Sequence, residues 1–146
     1  MCGPLPTVSH YGYRYFITFV NDSSRFASIF PLQEKSEVGK TLKVFISWAE
    51  LETGQKVKVL CSDRGGEYLA GHLQQYLQEH SIKHEVTTAN MPQHNGMAEC
   101  LNRTLLDKVR AMLADVDLPK PYWLEALNYT TLLHNVSLLR SRLGAR

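Results

Sequence analysis

Apolar and polar positions follow two rhythms along this chain, and the rhythms separate strands from helices. Tyr13-Arg14-Tyr15-Phe16-Ile17-Thr18-Phe19-Val20 is a β-branched and aromatic run that predicts a strand. Asn21-Asp22-Ser23-Ser24 has turn chemistry, and residues 25–32 return as a second strand to close a hairpin. Residues 36–52 read as a helix, with Ser36 as N-cap, Val38, Leu42, Phe45 and Ala49 on one stripe, and Gly54 as the stop. A third strand is expected over 57–61, a helix over 69–80 with Leu73 and Leu77 inward, and a short strand over 82–86. Residues 87–96, with Asn90, Pro92, Asn95 and Gly96, read as a polar loop.

The best-defined amphipath follows, from about 96 to 114. Leu101, Leu105, Val109 and Met112 share an inward face, while Glu99, Arg103, Asp107 and Arg110 project from another. Asp117-Leu118-Pro119-Lys120-Pro121 breaks the chain, and 122–135 form a last helix with Trp123, Leu127 and Thr130 inward. Hairpin order at the start and helical crossovers later predict an α/β three-layer fold with a mixed sheet. One domain is expected over 1–146, with 136–146 as a disordered tail.

Composition narrows the classes. An apolar share of 44% and an aromatic share of 10% are ordinary globular usage. No apolar run is of membrane-spanning length, and Met1-Cys2-Gly3-Pro4 lacks the pattern of an export signal. Cys2, Cys61 and Cys100 match neither a disulfide framework nor a zinc pattern, so reduced thiols in an intracellular protein are expected. The six histidines show no paired metal spacing, and a net charge of +2 neither argues for nucleic acid nor excludes it.

The candidate chemistry lies in two carboxylates. Asp63 falls at a strand's C-terminal end, before Arg64-Gly65-Gly66-Glu67, and Glu99 falls near a helix start. Thirty-five residues separate them, room for one helix and one strand. Hard divalent cations bind through a few carboxylates and substrate phosphate, and a pair of them can activate an attacking oxygen and stabilise a leaving one. Taken alone, Glu99 is an ordinary solvated helix residue with Arg103 as its i,i+4 partner. Asp22 reads as a hydrogen-bonding turn residue rather than a ligand.

Ser62-Asp63-Arg64-Gly65-Gly66-Glu67 and Pro92-Gln93-His94-Asn95-Gly96-Met97-Ala98-Glu99 closely resemble the integrase core of copia-type LTR retrotransposons, spacing included. Phe19-Val20-Asn21-Asp22-Ser23-Ser24-Arg25 and Trp123-Leu124-Glu125-Ala126 extend the resemblance over nearly the whole chain. It implies a ribonuclease-H-like fold and metal-dependent DNA strand transfer. Asp63 and Glu99 would be catalytic and would hold Mg²⁺ or Mn²⁺. Gln93, His94, Asn95 and Arg103 would bind DNA. The implied partners are element ends, target DNA and further copies of the chain, and the functioning family is nuclear.

Departures from the family pattern shape the expectation. The family's first acid sits just ahead of a Cys-Gly-Pro segment, and here Cys2-Gly3-Pro4 follows Met1 directly. The expectation is therefore a core incomplete at both ends, without its first central strand and inactive as it stands. Cys61 and Cys100 stand where the family usually has Arg, Asn21 where it has Asp, Met91 where it has Thr, and Leu138 where it has Pro. Each change is one cytosine-to-thymine transition away, which fits a decaying element copy. Two alternatives stay open at this point. One is a non-catalytic nucleic-acid-binding or oligomerising remnant, and the other is a reading frame whose product does not fold.

Overall fold

The computed structural model describes residues 1–63, 65, 66, 68, 71–87 and 92–143. Its strands are β1 (Tyr15–Val20), β2 (Ala27–Leu32), β3 (Val59–Ser62) and β4 (Lys83–Val86). Its helices are α1 (Val38–Thr53), α2 (Gly71–Glu79), α3 (Pro92–Asp115) and α4 (Trp123–Leu143), with single 3₁₀ turns at Lys35–Glu37 and Lys120–Tyr122. Two compact units form: Met1–Glu34 with Ala98–Arg146, and Lys35–Met97.

In the first unit β1 and β2 pair antiparallel, from Tyr15 opposite Leu32 to Val20 opposite Ala27. Asn21 builds the turn. Its Oδ1 accepts the Ser24 N–H at 2.8 Å, and its C=O accepts the Arg25 N–H at 2.7 Å. Asp22 pairs with Arg25 at 2.9 Å on the exposed tip, as expected of a turn residue. The other edge of β1 is partly covered by the N-terminal segment. Cys2 and Phe16 exchange both backbone hydrogen bonds (2.8 and 3.1 Å), and the Leu5 N–H bonds Arg14 C=O at 2.8 Å.

Phe16 delivers β1 to a core built with α3 and α4: Leu105, Val109, Trp123, Leu124, Ala126 and Leu127. The helical faces expected from the spacing are the buried ones. Leu105 and Val109 are inward on α3, and Trp123, Leu127 and Thr130 on α4. Trp123 satisfies its indole by donating Nε1–H to Thr7 C=O at 3.1 Å. The Thr130 and Thr131 hydroxyls donate to Leu127 C=O, so both can lie in an apolar interior.

In the second unit β3 and β4 run parallel, Val59 opposite Lys83 through Ser62 opposite Val86. A parallel pair needs a crossover, and α2 supplies it, burying Leu73 and Leu77 as its spacing requires. α1 buries Val38, Leu42 and Ile46, an i, i+4, i+8 row, so the face is centred on Ile46 rather than on Phe45 and Ala49. Gly54 ends α1 at φ 65, a left-handed position that costs glycine nothing. Ser36 lies in the 3₁₀ turn rather than capping α1, which opens after Glu37 without a side-chain cap.

Two element limits differ from the sequence expectation by more than two residues. α3 opens at Pro92, so Gln93, His94 and Asn95 belong to its first turn rather than to a loop. Proline suits that position, because its missing N–H is one a helix start leaves unbonded. α4 runs on to Leu143 rather than fraying after Asn135.

Candidate active site

Asp63 follows the last residue of β3, and neighbouring groups fix it there. Ser62 C=O accepts both the Thr87 N–H (2.9 Å) and the Thr87 hydroxyl (3.1 Å). The Asp63 carboxylate accepts the Gly65 N–H at 3.0 Å through Oδ1, the turn expected of a short acid at a strand end. Asp63 is half-buried, at a level where it can still meet solvent or a ligand.

Glu99 and Arg103 are exposed and lie on one face of α3, one turn apart. They border a cleft of about 370 Å³ in the first unit, together with Met1, Cys2, Asn102 and Arg110. Asn102 accepts a hydrogen bond from the Thr18 hydroxyl at 2.6 Å, tying this turn of α3 to β1. Cys2 borders the cleft and is held to β1 by its pairing with Phe16. Burial pushes the Cys2 thiol up, opposed by the N-terminal amine, the Gly3 backbone and Arg110. Arg110 also pairs with Asp107 at 2.7 Å on the exposed surface.

The expected site residues thus fall in three places. Glu99 and Arg103 share a cleft, and Asp63 belongs to the other unit. Gln93, His94 and Asn95 have helical backbone, and their side chains lie outside the described residues. Asn102 escaped the sequence reading, which took Cys2 only as part of the segment that follows the family's first acid. The helical position of Asn102, three residues after Glu99, was a signal for it, whereas the pairing of Cys2 with Phe16 leaves no local trace. Two carboxylates are an oxygen donor set that suits Mg²⁺ or Mn²⁺. Among the described residues no three His, Cys, Asp or Glu side chains gather into a metal cluster.

No protein-family model matches the chain. It is 43% identical over 137 residues to the retrovirus-related Pol polyprotein from transposon TNT 1-94 of Nicotiana tabacum, covering 94% of this chain and 10% of that protein. Against the Pol polyprotein from transposon RE2 of Arabidopsis thaliana it is 33% identical, covering 89% and 9%. Against the transposon Ty1-DR4 Gag-Pol polyprotein of Saccharomyces cerevisiae it is 32% identical, covering 91% and 8%. The chain therefore spans about a tenth of the length of these relatives. A chain of a simian T-cell lymphotropic virus intasome, solved in complex with a PP2A regulatory subunit, superposes at a TM-score of 0.62 with 20% identity. That match covers 86% of this chain and 43% of the other. The HTLV-2 integrase catalytic core domain, solved with magnesium in a trimeric form, superposes at 0.58 with 20% identity, covering 84% and 75%. The fold is accordingly the ribonuclease-H-like fold of integrase catalytic cores, and the homologues are Pol polyproteins of plant and yeast retrotransposons.

Proposed function

We propose that this chain, a homologue of plant and yeast retrotransposon Pol polyproteins, is the core of an integrase that joins element DNA ends to target DNA. The observation that carries the reading is the cleft bordered by Met1, Cys2, Glu99, Asn102 and Arg103. The resemblance puts the first acid ahead of the Cys2-Gly3-Pro4 segment, and Met1 and Cys2 border the same cleft as Glu99. On the same resemblance Asp63, just after β3, would be the second acid of the set.

In the proposed reaction a DNA 3′-hydroxyl oxygen attacks a target phosphorus. A new P–O bond forms, the target's P–O3′ bond breaks, and the proton of the attacking hydroxyl ends on solvent. Asp63 and Glu99 would hold Mg²⁺ or Mn²⁺, which when bound favours both the attacking and the leaving oxygen. On the resemblance, Arg103 would meet a phosphate beside that site, and Gln93, His94 and Asn95 would bind the DNA strand. Further copies of the chain are part of the same reading, and exposed Leu132, Leu133, Val136 and Leu139 on α4 give them apolar surface to bury. Among the described residues no helix is long and apolar enough to cross a membrane.

The test is Mn²⁺ broadening of amide signals. One shared ion should broaden the signals around both Asp63 and Glu99, and Asp63→Asn alone should abolish the effect at both places. Broadening at Glu99 that survives Asp63→Asn unchanged would end the shared-metal assignment.

A further inference from the structure

A hydrogen-bond chain runs from α2 through β4 to the residue carrying the β3 acid. Gln74 on α2 donates through Nε2 to Tyr68 C=O at 2.8 Å, and the same nitrogen lies 2.8 Å from His84 Nδ1. The Tyr68 carbonyl can only accept, so the Gln74 amide must turn its NH₂ toward it and therefore toward His84 as well. An NH₂ group has no lone pair to offer, and so His84 Nδ1 is the acceptor. The ring proton of a neutral His84 then sits on Nε2, which faces Ser62 Oγ at 2.9 Å and donates to it. Ser62 passes its own hydroxyl proton to Asp63 C=O at 2.9 Å. Every donor in this chain meets an acceptor in one direction only. Burial pushes the His84 pKa down, in keeping with a neutral ring.

We infer that His84 is a positioning residue for Asp63, acting through Ser62, on the reading above in which Asp63 ligates a divalent cation. The peptides on both sides of Asp63 are held: Ser62 C=O by Thr87, and Asp63 C=O by Ser62 Oγ. The carboxylate is set against Gly65 N–H. A serine hydroxyl alone rotates freely. With His84 donating to it, the hydroxyl cannot turn its proton toward the ring, and the Asp63 carbonyl keeps its partner. Ligand geometry must be held within about half an ångström to be productive, which makes such outer partners matter for affinity.

The experiment measures Mn²⁺ affinity by amide broadening, alongside thermal melting, in this chain and four variants. His84→Leu and Ser62→Ala should each weaken Mn²⁺ binding about threefold to tenfold, less than the 10–100-fold typical of a group bonded directly to the ligand. His84→Gln, which keeps an N–H facing Ser62, should stay within about twofold of the parent. A purely structural role would move the melting temperature of His84→Leu and leave the affinity of the folded protein alone, and that result overturns the inference. If His84→Leu does not fold, unchanged affinity in Ser62→Ala overturns it equally. Nitrogen NMR of the His84 ring gives a second readout: a proton on Nε2 is expected, and a proton on Nδ1 refutes the chain. Asp63→Asn separates the two levels. Wild-type affinity in that variant rejects the metal assignment itself, whereas lost affinity there with no effect of Ser62→Ala or His84→Leu rejects only the positioning role.

Discussion

Asn135 on α4 brackets Ala27 on β2: its Oδ1 accepts the Ala27 N–H at 2.9 Å, and its Nδ2 donates to Ala27 C=O at 2.8 Å. The side chain thereby stands in for a neighbouring strand along the free side of the hairpin, and both residues are buried. An exposed strand edge invites pairing with other chains, so this one amide both satisfies and shields it. Asn135→Ala strands two buried backbone groups, each worth 1–3 kcal/mol of desolvation. A loss of about 2–3 kcal/mol is expected in urea denaturation. A change below about 0.5 kcal/mol would mean that water replaces the amide without cost.

The three thiols should separate by rate of alkylation near neutral pH. Reaction needs a thiolate and access to it. Cys61 and Cys100 are exposed, whereas Cys2 is half-buried and held above the ordinary thiol range by that burial. Peptide mass mapping of the native protein should show Cys2 modified about tenfold more slowly than Cys100. Denaturant should erase the difference. Equal rates in the native state would mean that the pairing of Cys2 with Phe16 opens freely in solution.

His84 gives the fold a dependence on pH with a definite sign. Its pKa is lowered by burial from 6.5, so the folded chain binds fewer protons than the unfolded one as the pH falls. The stabilisation is complete above that ordinary value and is lost as the pH drops through the lower folded value. Melting temperature should fall with acidification below about pH 6.5. His84→Gln should flatten this part of the profile. An identical profile in the two proteins would show that other groups carry the acid sensitivity.

Arg103 is a candidate for phosphate contact rather than base reading. Arg103→Ala should weaken DNA binding to a similar degree on every sequence, and the slope of log affinity against log salt should become shallower by about 0.9. Filter binding on two unrelated duplexes at several salt concentrations checks both. Loss confined to one duplex would place the residue against base edges.

What the sequence made legible was what local periodicity carries. Leu73 and Leu77 on α2, Leu105 and Val109 on α3, and the Asn21–Ser24 turn follow from spacing and side-chain chemistry alone. The far half of α1 was read one residue off, because Phe45 and Ile46 are adjacent and both apolar, and only packing decides between them. The far end of α4 escaped for the opposite reason: apolar side chains surround it, Leu132, Leu133 and Leu139 being exposed, so no stripe marks it. Contacts such as those of Cys2 with Phe16 and of the Asn135 amide with Ala27 end on backbone groups of distant residues, which leave no signature in residue type. For the site, the family resemblance pointed to Asp63 and Glu99, but only the fold brought Cys2 and Asn102 to the cleft beside Glu99.

Strand transfer is the most exposed prediction. The 146-residue polypeptide on its own supplies Asp63 and Glu99 but not the acid that the resemblance puts ahead of the Cys2-Gly3-Pro4 segment. Two acids can bind an ion weakly, whereas the third helps hold the charge that develops on the attacking and leaving oxygens. A loss of that kind lies in the transition state rather than in ion affinity, so added Mg²⁺ or Mn²⁺ should not restore activity. Asp22 cannot stand in, since it is engaged with Arg25 at the tip of the hairpin turn. The assay uses a preprocessed DNA end, Mn²⁺, and two proteins: this polypeptide, and the same one extended upstream by a relative's strand and its Asp. Activity should be confined to the extended protein and be lost there in Asp63→Ala and in Glu99→Ala. Robust transfer by the unextended polypeptide, abolished by Asp22→Ala, would move the first acid into the hairpin and overturn the assignment made from Cys2.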